Sequence, residues 1–293
     1  MTDVQEGGLV PDRWLGVGDI IGGALKFVWR YPVVTIGAPV GAFLVSLGVL
    51  LGALFVFGGF QSLPRYEFPE AMPVFGVLGL YGLVAGSFVV GTHCAVLSSA
   101  VRGERVRLSG AWSAGLRSTP GLVAVHLLAG GIVASTLAVG VLPFILTAAL
   151  GAQVPGMLAV LIGLVGIGAV IVGLVVGVSL MMVGPAYVLD GVGVLRAISR
   201  SRELMYGSFW RVLGTMLLAH LLIQVVCSIV PTIGMFVAIV VVSFLGVPPD
   251  VLFWAVGIGV GALLAASVPF TTGVLGLLYL DLRYRFQGTT HTA

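Results

Sequence analysis

The sequence predicts an all-α integral membrane protein of about six transmembrane helices, built as three repeated units of interfacial amphipathic helix plus transmembrane hairpin. Three observations carry that expectation. Of the 293 residues, 59% are hydrophobic and only 9% charged, with mean hydropathy +1.17, whereas a soluble domain has roughly 25% charged residues. Six apolar runs are long enough to cross a bilayer. Similar flanking residues recur at near-regular spacing along the chain, which is how a structural repeat shows itself.

The elements follow in order. A polar tail, 1–16, opens the chain, and its successor is too long an apolar stretch for a signal-peptide core of roughly 7–15 residues. Repeat 1 (17–101) holds the runs Pro32–Phe60 and Met72–Val101; repeat 2 (102–190) holds Pro120–Leu150 and Met157–Leu189; repeat 3 (191–282) holds Phe209–Leu245 and Val251–Leu282; 283–293 forms a cytoplasmic tail. Each run exceeds the roughly 20 residues that span about 30 Å of hydrocarbon. None shows the ten-residue alternation of a barrel strand, so helices are the way to satisfy the backbone in lipid. Pro39, Pro143, Pro185, Pro231 and Pro269 fall inside the runs and each removes one ladder donor, favouring kinks. A break in the fifth run near Pro231 is among these expectations.

Orientation comes from the basic residues. Arg13, Lys26, Arg30, Arg102, Arg105, Arg107, Arg117, Arg196, Arg200, Arg202, Arg211, Arg283 and Arg285 all fall on one side of the six runs, and of the 14 Lys and Arg residues Arg65 alone falls on the other. The positive-inside rule then puts both termini in the cytoplasm of a multi-pass protein of the cell (plasma) membrane. The same asymmetry accounts for the basic pI near 9.1 without nucleic acid as a partner.

Tyr31-Pro32, Thr119-Pro120 and Ser208-Phe209 open runs one, three and five, while Leu97-Ser98, Leu189-Asp190 and Leu280-Asp281 close runs two, four and six. Ahead of the first run, Asp19, Lys26 and Arg30 share a side opposite Ile20, Ala24, Phe27, Val28 and Tyr31; Arg196, Arg200 and Glu203 stand opposite Leu195, Ile198 and Met205. Helices of this kind lie in the headgroup plane with cations toward acidic lipid. The pairs Gly37/Gly41, Gly82/Gly86, Gly173/Gly177 and Gly257/Gly261 have the spacing that lets helix backbones approach.

Chemistry-bearing residues are few. His93, His126, His220 and Gln224 are the intramembrane polar candidates, with His220 and Gln224 one turn apart. No Asp or Glu sits in the middle of a run, no CxxC occurs, and the adjacent pair His93-Cys94 cannot act as base and nucleophile because neighbouring helix positions face apart. Asp190 and Asp281 end their runs near Arg196 and Arg283, where charge pairing is the expected role. No metal site and no cofactor is expected. Lys26, Arg30, Arg117, Arg200 and Arg211 are the candidate lipid-headgroup contacts, since guanidinium and ammonium groups at headgroup level pair with phosphate.

Three stretches, GDIIGGALKFVWRYP at 18–32, RSRELMYGSFWRVLGTMLL at 200–218 and YLDLRYRFQG at 279–288, resemble a family of actinobacterial multi-pass proteins catalogued as the glycerophosphodiester phosphodiesterase membrane domain. The last stretch departs from the family's ending at Phe286 and Gln287, where a second Arg and a Glu are usual. The resemblance implies a membrane domain found beside an enzyme in some relatives, not an esterase.

The functional expectation is a noncatalytic membrane protein that binds lipid or an amphiphile and assists its transport or the assembly of a membrane complex, with membrane lipids and another membrane protein subunit as partners. A small-solute transporter or channel is the alternative, and needs a polar midplane path. A lipid-modifying enzyme needs clustered nucleophile, base or metal ligands, which the sequence does not show.

Overall fold

A computed structural model describes residues 14–57, 68–104, 107–150, 155–245 and 249–290. Arg13, Arg65 and Arg105, which entered the orientation argument, lie outside them. Every regular element among the described residues is a helix: α1 Val17–Arg30, α2 Pro32–Thr35, α3 Gly37–Phe57, α4 Phe68–Val101, α5 Leu108–Leu150, α6 Gly156–Ser179, α7 Val183–Leu189, α8 Val194–Met205, α9 Phe209–Leu245 and α10 Pro249–Thr290. Six stretches of them are long and apolar enough to cross a membrane: Pro32–Gly52, Gly76–Val101, Leu108–Ala149, Gly156–Leu189, Phe209–Val237 and Val256–Phe286.

Local chemistry explains the breaks. The Gly16 N–H donates to the Asp19 carboxylate (2.9 Å) at the start of α1, an acidic group where the helix dipole favours one. Tyr31, at φ −128° and ψ 46°, leaves the helix ahead of Pro32, which takes the first position of α2. Gly207, with φ +79°, follows α8 and turns the chain toward α9 in a conformation that a side chain would oppose. Pro185 withholds the donor for the Met181 carbonyl, and the expected single run 157–189 is divided at Leu180–Met182 into α6 and α7. Pro231 and Pro269 lie inside unbroken α9 and α10, so the break expected near Pro231 does not occur.

The lead-in to the third run also differs from expectation. The sequence predicts a separate cytoplasmic helix ahead of Thr119-Pro120, yet α5 continues through both, 43 residues in all. Pro120 costs a ladder bond, but the turn before it is held from both sides. The Ser118 and Thr119 hydroxyls donate to the Gly115 carbonyl (3.0 and 2.8 Å). Gly115 and Gly91 also bring α5 and α4 together: a Cβ at Gly115 would stand 3.2 Å from the Phe88 carbonyl, and one at Gly91 3.3 Å from the Gly115 backbone. The Phe88 and Trp112 rings meet edge to face beside them (5.7 Å).

The chain divides into two compact units, 1–120 with 214–293, and 121–213. In the first, α1 runs antiparallel along α10. The Leu15 N–H reaches the buried Asp281 carboxylate (2.9 Å), and twelve residues on Phe27 packs at Gly273, where a Cβ would sit 3.1 Å from the ring. Ile20, Ala24 and Phe27 are fully buried, so the apolar face of α1 meets protein. Arg285 completes the joint by pairing with Asp281 (2.9 Å), donating to the Leu15 carbonyl (3.4 Å) and lying over the Trp14 ring (5.0 Å).

In the second unit, α5 and α6 approach through Gly140 and Gly166, a Cβ at either lying 2.8–3.1 Å from the other's carbonyl oxygen. Helix α8 packs on α7, and Ala197, Ser201, Leu204 and Met205 are its buried residues. Leu195, assigned to the apolar face from the sequence, is exposed instead, the buried stripe of α8 running through Ala197, Ser201, Leu204 and Met205. Of the four expected GxxxG pairs, Gly173 packs tightly on Leu137 and Gly261 on Phe43, while Gly37, Gly41, Gly82, Gly86 and Gly257 have open space around them.

Candidate functional site

His93 is a buried polar side chain of the first unit that bonds to two other helices. Pro39 has no N–H to give the carbonyl four residues earlier, that of Thr35, so α2 and α3 part at Ile36. His93, on α4, supplies the missing donor: its Nε2 lies 2.8 Å from the Thr35 oxygen. A carbonyl only accepts, so the proton is on Nε2 and, in the neutral ring, the Nδ1 lone pair accepts the Thr272 hydroxyl of α10 at 2.7 Å. Phe27 of α1 stands edge-on to the imidazole (6.4 Å). One ring, 1% exposed, therefore bonds α2, α4 and α10 and touches α1. Both its nitrogens are spent on the protein, which makes it a joint rather than a ligand donor.

Near this joint, α1, α9 and α10 enclose a groove of about 470 Å³, within the roughly 300–1,000 Å³ of small-molecule sites. Leu25, Val28 and Trp29 form the α1 wall, Leu222, Ile223, Val226 and Cys227 the α9 wall, and Leu263, Ala266, Ser267 and Phe270 the α10 wall. Besides the indole N–H of Trp29, the lining carries the polar groups of Cys227 and Ser267, and Ser267 gives its hydroxyl to the Leu264 carbonyl (2.7 Å). Trp29 is 78% exposed, an apolar body with a polar N–H at the edge of the groove, as aromatic residues at a membrane interface are placed.

The headgroup candidates fall into two sets. Lys26 and Arg30 are exposed on α1, each next in sequence to a groove-lining residue, with aliphatic stems long enough to follow an apolar wall. Arg117 is exposed on α5. Arg200, by contrast, is engaged with Asp190 (3.5 Å) and Glu203 (3.4 Å) in the second unit, and only 19% of its side chain is exposed. Arg211 is half-buried at the start of α9. Asp190 thus pairs with Arg200 and Asp281 with Arg285, where the sequence pointed to Arg196 and Arg283.

Among the intramembrane candidates, His126 is half-buried on α5, and His220 and Gln224 are exposed on α9. His220 does not turn to Gln224; its Nδ1 donates to the Met216 carbonyl (2.8 Å). Among the described residues no group of three His, Cys, Asp or Glu side chains is placed to hold a metal. In the loop after α4, Arg102 grips Glu104 through two bonds (2.7 and 3.1 Å), and that hydrogen bonding holds the Glu104 carboxyl below its ordinary pKa.

Sequence reasoning missed Thr35, Thr272 and the groove lining. The spacing of Pro39 from Thr35 names the carbonyl that lacks a donor, but not the side chain that reaches it. Six long apolar helices make the chain a multi-pass membrane protein. No family model, no curated protein and no solved structure matches it.

Proposed function

We propose that this is a noncatalytic membrane protein that holds a lipid or other amphiphile in the α1/α9/α10 groove and assists its transport or the assembly of a membrane complex. The observation that carries the reading is the pairing of an apolar groove with Lys26 and Arg30 on the helix that forms its wall. An acyl chain takes the groove, and an anionic headgroup takes the cations, each worth on the order of 1 kcal/mol near an anionic surface. The basic asymmetry of the sequence supports a plasma-membrane protein with both termini cytoplasmic. The recurrence of flanking residues supports three units, 17–101, 102–190 and 191–282, and the stretches at 18–32, 200–218 and 279–288 support kinship with the membrane-domain family they resemble.

Native mass spectrometry of the full chain in neutral detergent with added phosphatidylglycerol tests the proposal. Ala266→Trp fills the groove from α10, and Lys26→Gln with Arg30→Gln removes the cations. Parent protein is expected to retain phosphatidylglycerol; A266W should lose most of it and the double variant should lose it at lower activation energy, both with parental helicity. Equal retention in all three would refute the groove as the lipid site.

A further inference from the structure

Helix α9 passes through the candidate span Phe209–Val237 with four polar side chains one turn apart, His220, Gln224, Ser228 and Thr232, all exposed. Three of them use hydrogen-bonding capacity on their own helix. The Ser228 hydroxyl donates to the Val225 carbonyl (3.0 Å), the Thr232 hydroxyl to the Ser228 carbonyl (2.6 Å), and His220 Nδ1 to the Met216 carbonyl (2.8 Å). The neutral His220 ring then presents Nε2 as an acceptor. Gln224, near the middle of the span, presents a carbonyl and two N–H donors. An amide left without partners in hydrocarbon is expensive, so polar side chains on a spanning helix turn to protein or water.

We infer that this face of α9 is a contact between two copies of the chain, centred on Gln224. A primary amide is self-complementary: across a twofold axis each Gln224 donates to the other's carbonyl oxygen and accepts in return. The His220 Nε2 one turn away can take a remaining N–H. An isologous contact needs a surface of this kind, in which the same groups serve both partners. Ser228, small and one turn on, lets the backbones come close enough for the amides to meet. The groove is on another side of α9, since Gln224 stands about a third of a turn round from the centre of the Leu222, Ile223, Val226 and Cys227 wall at 100° per residue. The contact therefore does not depend on the lipid reading.

The experiment uses the full chain in lipid nanodiscs and in detergent across a concentration series. Native mass spectrometry should find a dimer for the parent and for Gln224→Asn, and a dimer at least about tenfold weaker for Gln224→Leu, with helicity unchanged. Gln224→Cys in a Cys227→Ser background, where the remaining Cys94 is buried, should form a disulfide-linked dimer on oxidation in the bilayer. A parent that is monomeric throughout, a Q224L dimer as tight as the parent's, or oxidation that joins position 224 only to another protein would each overturn the inference.

Discussion

The two units each contain a broken helix with a carbonyl left over, and they repair it differently. In the first, Pro39 denies a donor to Thr35, and His93 bonds the oxygen at 2.8 Å. In the second, the ladder tightens where α6 gives way to α7. The Val183 N–H turns to Leu180 (3.2 Å) and not to Ser179, whose oxygen accepts the Ser201 hydroxyl of α8 at 2.7 Å. Both side chains are buried. The hydroxyl has one hydrogen and joins two helices, α6 and α8. The imidazole has two nitrogens on opposite edges and joins three, since Thr272 of α10 bonds the second. A membrane helix interrupted inside protein must find its donor elsewhere, and the choice of donor decides how many neighbours the repair fastens.

That difference predicts a ranking of stabilities in detergent-solubilised protein. His93→Ala strands the Thr35 carbonyl, leaves the Thr272 hydroxyl only the Val268 and Pro269 carbonyls of its own helix and opens a cavity under Phe27, for a loss of about 3–5 kcal/mol. Ser201→Ala strands only the Ser179 carbonyl and should cost about 1–2 kcal/mol. Denaturant or thermal unfolding monitored by circular dichroism reads both. Equal losses would break the comparison, because the imidazole would then be fastening no more than the hydroxyl does.

A double-mutant cycle sharpens it. Pro39→Ala restores an N–H that can bond the Thr35 carbonyl within the helix, so His93→Ala should cost about 1–2 kcal/mol less in that background than in the parent. An unchanged cost would mean that the stranded carbonyl contributes nothing and that the cavity accounts for the loss.

Much of the helical layout is legible in the sequence because hydropathy and local chain chemistry determine it. The run expected to open at Phe209 does so, as α9, and Tyr31-Pro32 ends α1 where a proline disfavours helical geometry in the preceding residue. What is not legible depends on a crossing partner. Thr119-Pro120 reads like Tyr31-Pro32, yet α5 continues because Gly115 packs on Phe88 of α4. The GxxxG spacing selects glycines by their own helix, whereas Gly91 with Gly115 and Gly140 with Gly166 are selected by what lies opposite. His93 stands out as a polar group in an apolar run, but its two partners are 58 and 179 residues away. The groove gathers residues from three helices between positions 25 and 270, and no local pattern marks them as neighbours.

The lipid reading turns on whether the groove is occupied, and the chain carries its own reporter. Of its two cysteines, Cys94 is 3% exposed and Cys227 lines the α9 wall of the groove. A membrane-permeant maleimide should therefore modify the native protein once, at Cys227. Added phosphatidylglycerol should slow that modification severalfold in the parent and leave it unaltered in A266W. Labelling of the parent at the same rate with and without phosphatidylglycerol would contradict the account.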